Sequence, residues 1–158
     1  MLHLLWPLPV LTAVLALVQP AAAQDAPTWS FNASGNAVAI RFAIPKTDDV
    51  RFLILCDNKK RQIDVTVFEH IEKVRVGRPV TIELKAGTEK VRLSGRTTEE
   101  EPDVIFGRAR KVKIEPVLAV LRATGEMTAT MGGTTTKYPQ EGRAAAVTEF
   151  EKGCKIKR

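Results

Sequence analysis

Few side chains in this sequence are of types and spacings that do chemistry. Cys56 and Cys154 are the only cysteines, and they stand far apart. That separation excludes a C-x-x-C redox centre and makes a structural bridge their expected use. His70 is the single histidine outside the apolar start of the chain. A Ser-His-Asp arrangement would have to run through it, and no G-x-S-x-G elbow presents a serine. Glu69, His70 and Glu72 come nearest to a metal-ligand cluster. Metal sites need several closely set ligands, so a solvated loop is the expectation there. No G-x-x-x-x-G-K-[ST] or G-x-G-x-x-G phosphate-binding turn occurs. The reading is a non-catalytic protein with no cofactor.

The positive signal is charge. The chain has 24 Lys and Arg against 18 Asp and Glu, a net charge of +6. Lys85, Lys90 and Arg92 fall on the outward face of one predicted hairpin. Arg108, Arg110, Lys111 and Lys113 stand close together, and Lys152, Lys155, Lys157 and Arg158 make a basic tail. Such clusters attract an anionic polymer or lipid surface at long range. The competing expectation is that they only keep the domain soluble. Nucleic acid is not an expected partner, because no aromatic residues interleave with the bases. Glu99-Glu100-Glu101 reads as a solvated acidic loop, and Trp29 as a core aromatic.

The elements that must position these groups begin after an export signal. Met1 to Val18 is apolar apart from His3 and Thr12, and Pro20-Ala21-Ala22-Ala23 follows. Ala21 and Ala23 suit the −3 and −1 positions of a signal-peptidase site, so residues 1–23 read as a signal peptide. Residues 24–158 read as one domain. Export places both cysteines in an oxidising compartment, where one bridge is the default. The removed segment holds no Lys, Arg, Asp or Glu, so the charge of +6 belongs to the mature chain.

Within that domain the centre is Val50 to Cys56. Phe52, Ile54 and Cys56 occupy one parity, Leu53 and Leu55 the other. A strand apolar on both faces is expected to be covered on both. Ala37 to Ile44 alternates before it, and Gln62 to Val67 alternates after it, which predicts a hairpin with the central strand. Val80 to Gly95 predicts a second hairpin about Gly87-Thr88 in a type II′ turn. Its register sets Leu84 opposite Val91, Ile82 opposite Leu93, Glu83 opposite Arg92 and Lys85 opposite Lys90.

Later, Val104 to Phe106 and Lys111 to Ile114 read as short strands. A buried helix is expected between Pro116 and Gly125. Met127 to Met131 and Thr134 to Tyr138 read as a hairpin, and Arg143 to Lys152 as a helix stopped by Gly153. Val147, Phe150 and Cys154 share its apolar side, which is where Cys154 must lie to reach a buried strand.

The fold class is therefore α+β. It is mainly an antiparallel sheet or sandwich of about eight strands, with two short helices near the C-terminus and one disulfide, Cys56–Cys154. Trp29 soon after the signal, Leu55-Cys56 closing a strand, the run Pro116 to Leu121, and Gly142 to Phe150 ahead of Cys154 resemble a family of small exported proteobacterial proteins. The resemblance spans most of the mature chain. It implies a periplasmic location and the same disulfide, and no activity. The function expected is a non-catalytic exported binding domain for an anionic cell-envelope component. The alternative is an inhibitor or accessory protein that docks on another exported protein.

Overall fold

The computed structural model describes residues 26–58, 62–69, 71, 74–101 and 104–155. The predicted signal peptide, His70, Glu72, Lys157 and Arg158 lie outside the described residues. Eleven elements follow in order. They are β1 (Thr28–Ser34), β2 (Ala37–Ala43), β3 (Val50–Asp57), β4 (Gln62–Val67), β5 (Pro79–Ala86), β6 (Glu89–Glu101), β7 (Val104–Val112), α1 (Ile114–Arg122), β8 (Met127–Met131), β9 (Thr134–Tyr138) and α2 (Arg143–Gly153). The strands form one nine-stranded antiparallel sheet in the order β1-β2-β3-β4-β7-β6-β5-β8-β9. It curls into a half-barrel with the two helices at the C-terminal end of the chain. It is one sheet, so the sandwich form of the expectation does not apply.

Strand periodicity explains which face is buried. Ile40, Phe42, Phe52, Ile54, Cys56, Ile63, Val65, Ile82, Leu84, Met127 and Ala129 all turn to the inner face. Val117, Leu118, Val120 and Leu121 of α1 and Ala146, Val147 and Phe150 of α2 join them in one core. Burial of this apolar surface is the main force holding the fold together. Among the described residues the outer face of β3 has no such cover, which corrects one expectation. Leu53 is half-buried and Leu55 is 40% exposed, so β3 is covered on one side only. Its period-2 pattern says which residues share a face, but not whether a second layer exists to cover them.

The predicted hairpins form, and the register predicted for the second of them holds. Leu53 pairs Thr66 and Ile54 pairs Val65, as β3 and β4 require. Leu84↔Val91, Ile82↔Leu93, Glu83↔Arg92 and Lys85↔Lys90 are all present in β5–β6. Gly87 has φ 54°, the left-handed first position that a type II′ turn demands.

Three other expectations are corrected. The residues from Thr97 to Glu101 are not a loop: they extend β6 and pair with β7, Thr98 facing Phe106 and Glu99 facing Ile105. The two short strands expected around Gly107 are one strand, β7. Helix α1 begins at Ile114, which the alternation places in a strand. Pro116 then falls in the first helical turn, where its missing N–H costs no intrahelical bond.

At one end of the half-barrel an aromatic cluster brings the outermost strands together. The Trp29 ring lies 6.0 Å from that of Tyr138, and Phe42 and Phe52 lie 5.5 and 5.3 Å from Tyr138. The Trp29 indole N–H donates to the Pro139 carbonyl at 2.7 Å, joining β1 to the segment after β9. Trp29 is thus the buried core aromatic that the sequence predicts.

Helix α2 is fastened by polar contacts as well as by its apolar side. Arg143 is 1% exposed and donates to the carbonyls of Leu121, Ala123 and Gly125 at 3.0, 2.6 and 2.8 Å. These are carbonyls at and just beyond the C-terminus of α1, where a cation is also favoured by the helix dipole. Arg122 of α1 pairs with the buried Glu151 of α2 at 2.6 Å. At the far end of α2, the disulfide joins Cys154 to Cys56 of β3 with a Cα–Cα distance of 5.9 Å. Beside it, the Asn58 side chain donates to the Gly153 carbonyl at 2.7 Å.

Candidate anion-binding groove

The outer face carries the basic residues, and two local features decide where they gather. The first is the bend in β6. Its first half pairs with β5 and its second half with β7. The changeover is at Gly95, where a Cβ would stand 2.8 Å from the Arg108 carbonyl oxygen. No other residue allows this approach, so Gly95 forms the corner. On one side of it β6 and β7 run as a ladder, and on the other they part.

The second feature is a bulge in β7. Ile63 faces Val112 and Val65 faces Ala109, so Arg110 and Lys111 together oppose Asp64. Lys111 has φ 57°, and its backbone N–H donates to the Asp64 carboxylate at 3.0 Å. In a regular strand, neighbours point to opposite faces. The bulge breaks that alternation and lets Arg110 and Lys111 line the same groove.

Two clefts follow the seam between β6 and β7. One, of about 630 Å³, is lined by Gly77, Pro79, Ser94, Arg96, Thr98, Arg108 and Arg110 among others. The next, of about 330 Å³, is lined by Arg92, Ser94, Arg110, Lys111, Lys113 and Pro116 among others. Ser94 and Arg110 belong to both. Two of the guanidinium groups donate to neutral acceptors. Arg96 donates to the Gly77 carbonyl at 2.7 Å. Arg108 donates to the Thr66 hydroxyl at 3.2 Å and lies 5.8 Å from the Phe106 ring centroid. Phe106 is in turn packed on Phe68, with ring centroids 4.7 Å apart. Arg96 and Arg108 are direct cross-strand partners.

The predicted basic residues divide accordingly. Arg108, Arg110, Lys111 and Lys113 come together at the seam, and Arg92 reaches its edge. Lys85 and Lys90 line neither cleft. Lys90 and Arg92 are both bound to Glu83, at 2.9 and 2.8 Å, so the hairpin is a less cationic face than its sequence implies. Hydrogen bonds from Lys90 and then Arg92 hold the Glu83 carboxyl below the ordinary glutamate value. In the tail, Lys152 is paired with Glu149 at 2.7 Å.

Arg96 was missed. It lies two residues beyond Ser94 on the parity of Lys90 and Arg92, which gives its face once β6 runs past Gly95 but not its meeting with Arg108. The other candidate cluster separates differently: the Glu69 carboxylate accepts from the Thr136 hydroxyl at 2.5 Å, and the other two members lie outside the described residues. Among the described residues no three His, Cys, Asp or Glu side chains gather as a metal site would require. No helix among them is long and apolar enough to cross a membrane. No protein-family model, curated protein or solved structure matches the chain.

Proposed function

We propose that this protein is a non-catalytic binding domain that captures an anionic component of the cell envelope along the β6–β7 seam. The observation that carries the reading is the convergence of Arg96, Arg108 and Arg110 on one cleft of about 630 Å³. That volume is ordinary for a ligand site. Arginine presents a planar fork suited to phosphate and carboxylate oxygens. The location proposed is the periplasm after cleavage behind Ala23, as in the proteobacterial family the sequence resembles. The disulfide is consistent with an oxidising compartment. The alternative, docking on another exported protein, draws on Leu55 and the half-buried Leu53 on the uncovered outer face.

Binding to anionic polysaccharide or anionic vesicles tests the reading. It should be strong at low salt and fall steeply near physiological ionic strength, where screening acts over about 8 Å. The Arg96→Gln, Arg110→Gln double variant should lose most of it. Absence of binding at low salt would sink the proposal. Mass spectrometry of the native protein tests export: the expected N-terminus is Gln24, and a full-length form as the only species would refute cleavage.

A further inference from the structure

We infer that the groove takes a ligand with two phosphate groups on a polar scaffold, such as a doubly phosphorylated saccharide, and not a single anion. This rests on the proposed anion-binding role and specifies its ligand. The two clefts adjoin at Ser94 and Arg110, which line both, so cationic side chains stand at both ends and in the middle. Among the described residues, Arg96, Arg110, Lys111 and Lys113 take part in no ion pair, whereas Arg92 at the margin is held by Glu83. Four cations outside any ion pair suit two phosphate monoesters, each of which carries about −1.5 to −2 at pH 7. A dicarboxylate would compensate only half of that charge. One inorganic phosphate would fill a small part of either cleft and leave the other end empty. Ser94 at the junction and Thr98 on the wall supply hydroxyls, which suits a hydroxylated scaffold between the two anions. The N-terminus of α1 opens beside Lys113, adding the positive end of its dipole to the second cleft.

Calorimetric titration of the purified, oxidised protein at fixed ionic strength tests this, with inorganic phosphate, a hexose monophosphate and a hexose bisphosphate as probes. The bisphosphate should bind at least about tenfold more tightly than either of the others. Arg96→Gln and Lys113→Gln, at opposite ends, should each weaken the bisphosphate by about tenfold. Only one of them should affect the monophosphate strongly. Lys85→Gln, outside the groove, should change nothing. All these positions are on the outer face, and circular dichroism would confirm that each variant folds. A diphosphorylated disaccharide offered free and then on a lipid anchor in vesicles separates a soluble ligand from a lipid headgroup. Preference for two phosphates in either form supports the inference. Equal affinity for one and two phosphates, with binding still salt-sensitive and still lost in the Arg96 and Arg110 variants, would overturn it and leave the anion-binding role standing. No binding of any probe at low salt would overturn both.

Discussion

Two buried polar side chains show how burial alters what a residue does here. Tyr138 is the only tyrosine in the chain and is fully buried. Burial raises its pKa far above the usual phenol range, and Glu69 pushes it the same way while Arg51 opposes. The neutral form is the one the fold favours. Its contribution to stability is therefore complete below the unfolded value, about 10, and is lost as pH rises toward the folded one. Tyrosinate absorbance should thus appear only together with loss of near-ultraviolet dichroism. A titration centred near pH 10 with the fold intact would contradict this. Arg143 is the second case. Its cost of desolvation lowers its pKa, yet it remains charged and gathers three carbonyls. Arg143→Met should destabilise the protein by about 3 kcal/mol, because buried carbonyls lose charged donors. Urea unfolding measures it, and a change below about 0.5 kcal/mol would show that water or backbone shifts replace those bonds.

Among the elements, α2 depends most on a covalent tie. Cys56 and Cys154 are 98 residues apart in sequence. In the chain-entropy model a closed loop of that size contributes about 4 to 5 kcal/mol. A typical domain has about 5 to 15 kcal/mol in all, so the bond is a large share. The Cys56→Ser, Cys154→Ser variant should melt well below the native protein, with amides of α2 the first to exchange. Two reactive thiols in denatured, unreduced protein would refute the bridge itself. An unchanged melting point under reductant would leave the bridge and remove its energetic role.

For the whole molecule, the curl of the sheet depends on how closely β6 and β7 approach at Gly95. A methyl group there meets backbone, the Arg108 carbonyl, and not a side chain that could swing aside. Gly95→Ala should cost about 1 to 3 kcal/mol, the range for overpacking a tight site. It should also weaken anion binding, because the corner sets both walls of the groove. A variant with native stability but no binding would assign Gly95 to the groove alone. Native stability with native binding would show that the corner relaxes without consequence.

The sequence by itself determined the class of fold, the register of the β5–β6 hairpin, both helices and the bonded cysteines. All but the cysteine pairing, which follows from there being only two cysteines, rest on local information. Alternation at Ile82, Leu84, Val91 and Leu93 permits one register, and Gly87 selects the turn that closes it. The spacing of Val147, Phe150 and Cys154 places the last cysteine on the inner side of α2. Only the tertiary structure decided that there is one curled sheet and not two stacked ones, and that the outer face of β3 is uncovered among the described residues. It also decided which cations meet. Glu83 lies within the hairpin, and its capture of both Lys90 and Arg92 required their side-chain positions. Arg110 and Lys111 share a groove because a bulge across from Asp64 cancels the strand alternation that sequence parity assumes. Arg96 joins them because a glycine lets β6 bend onto a strand distant in sequence, and a contact of that kind leaves no period in the chain to read.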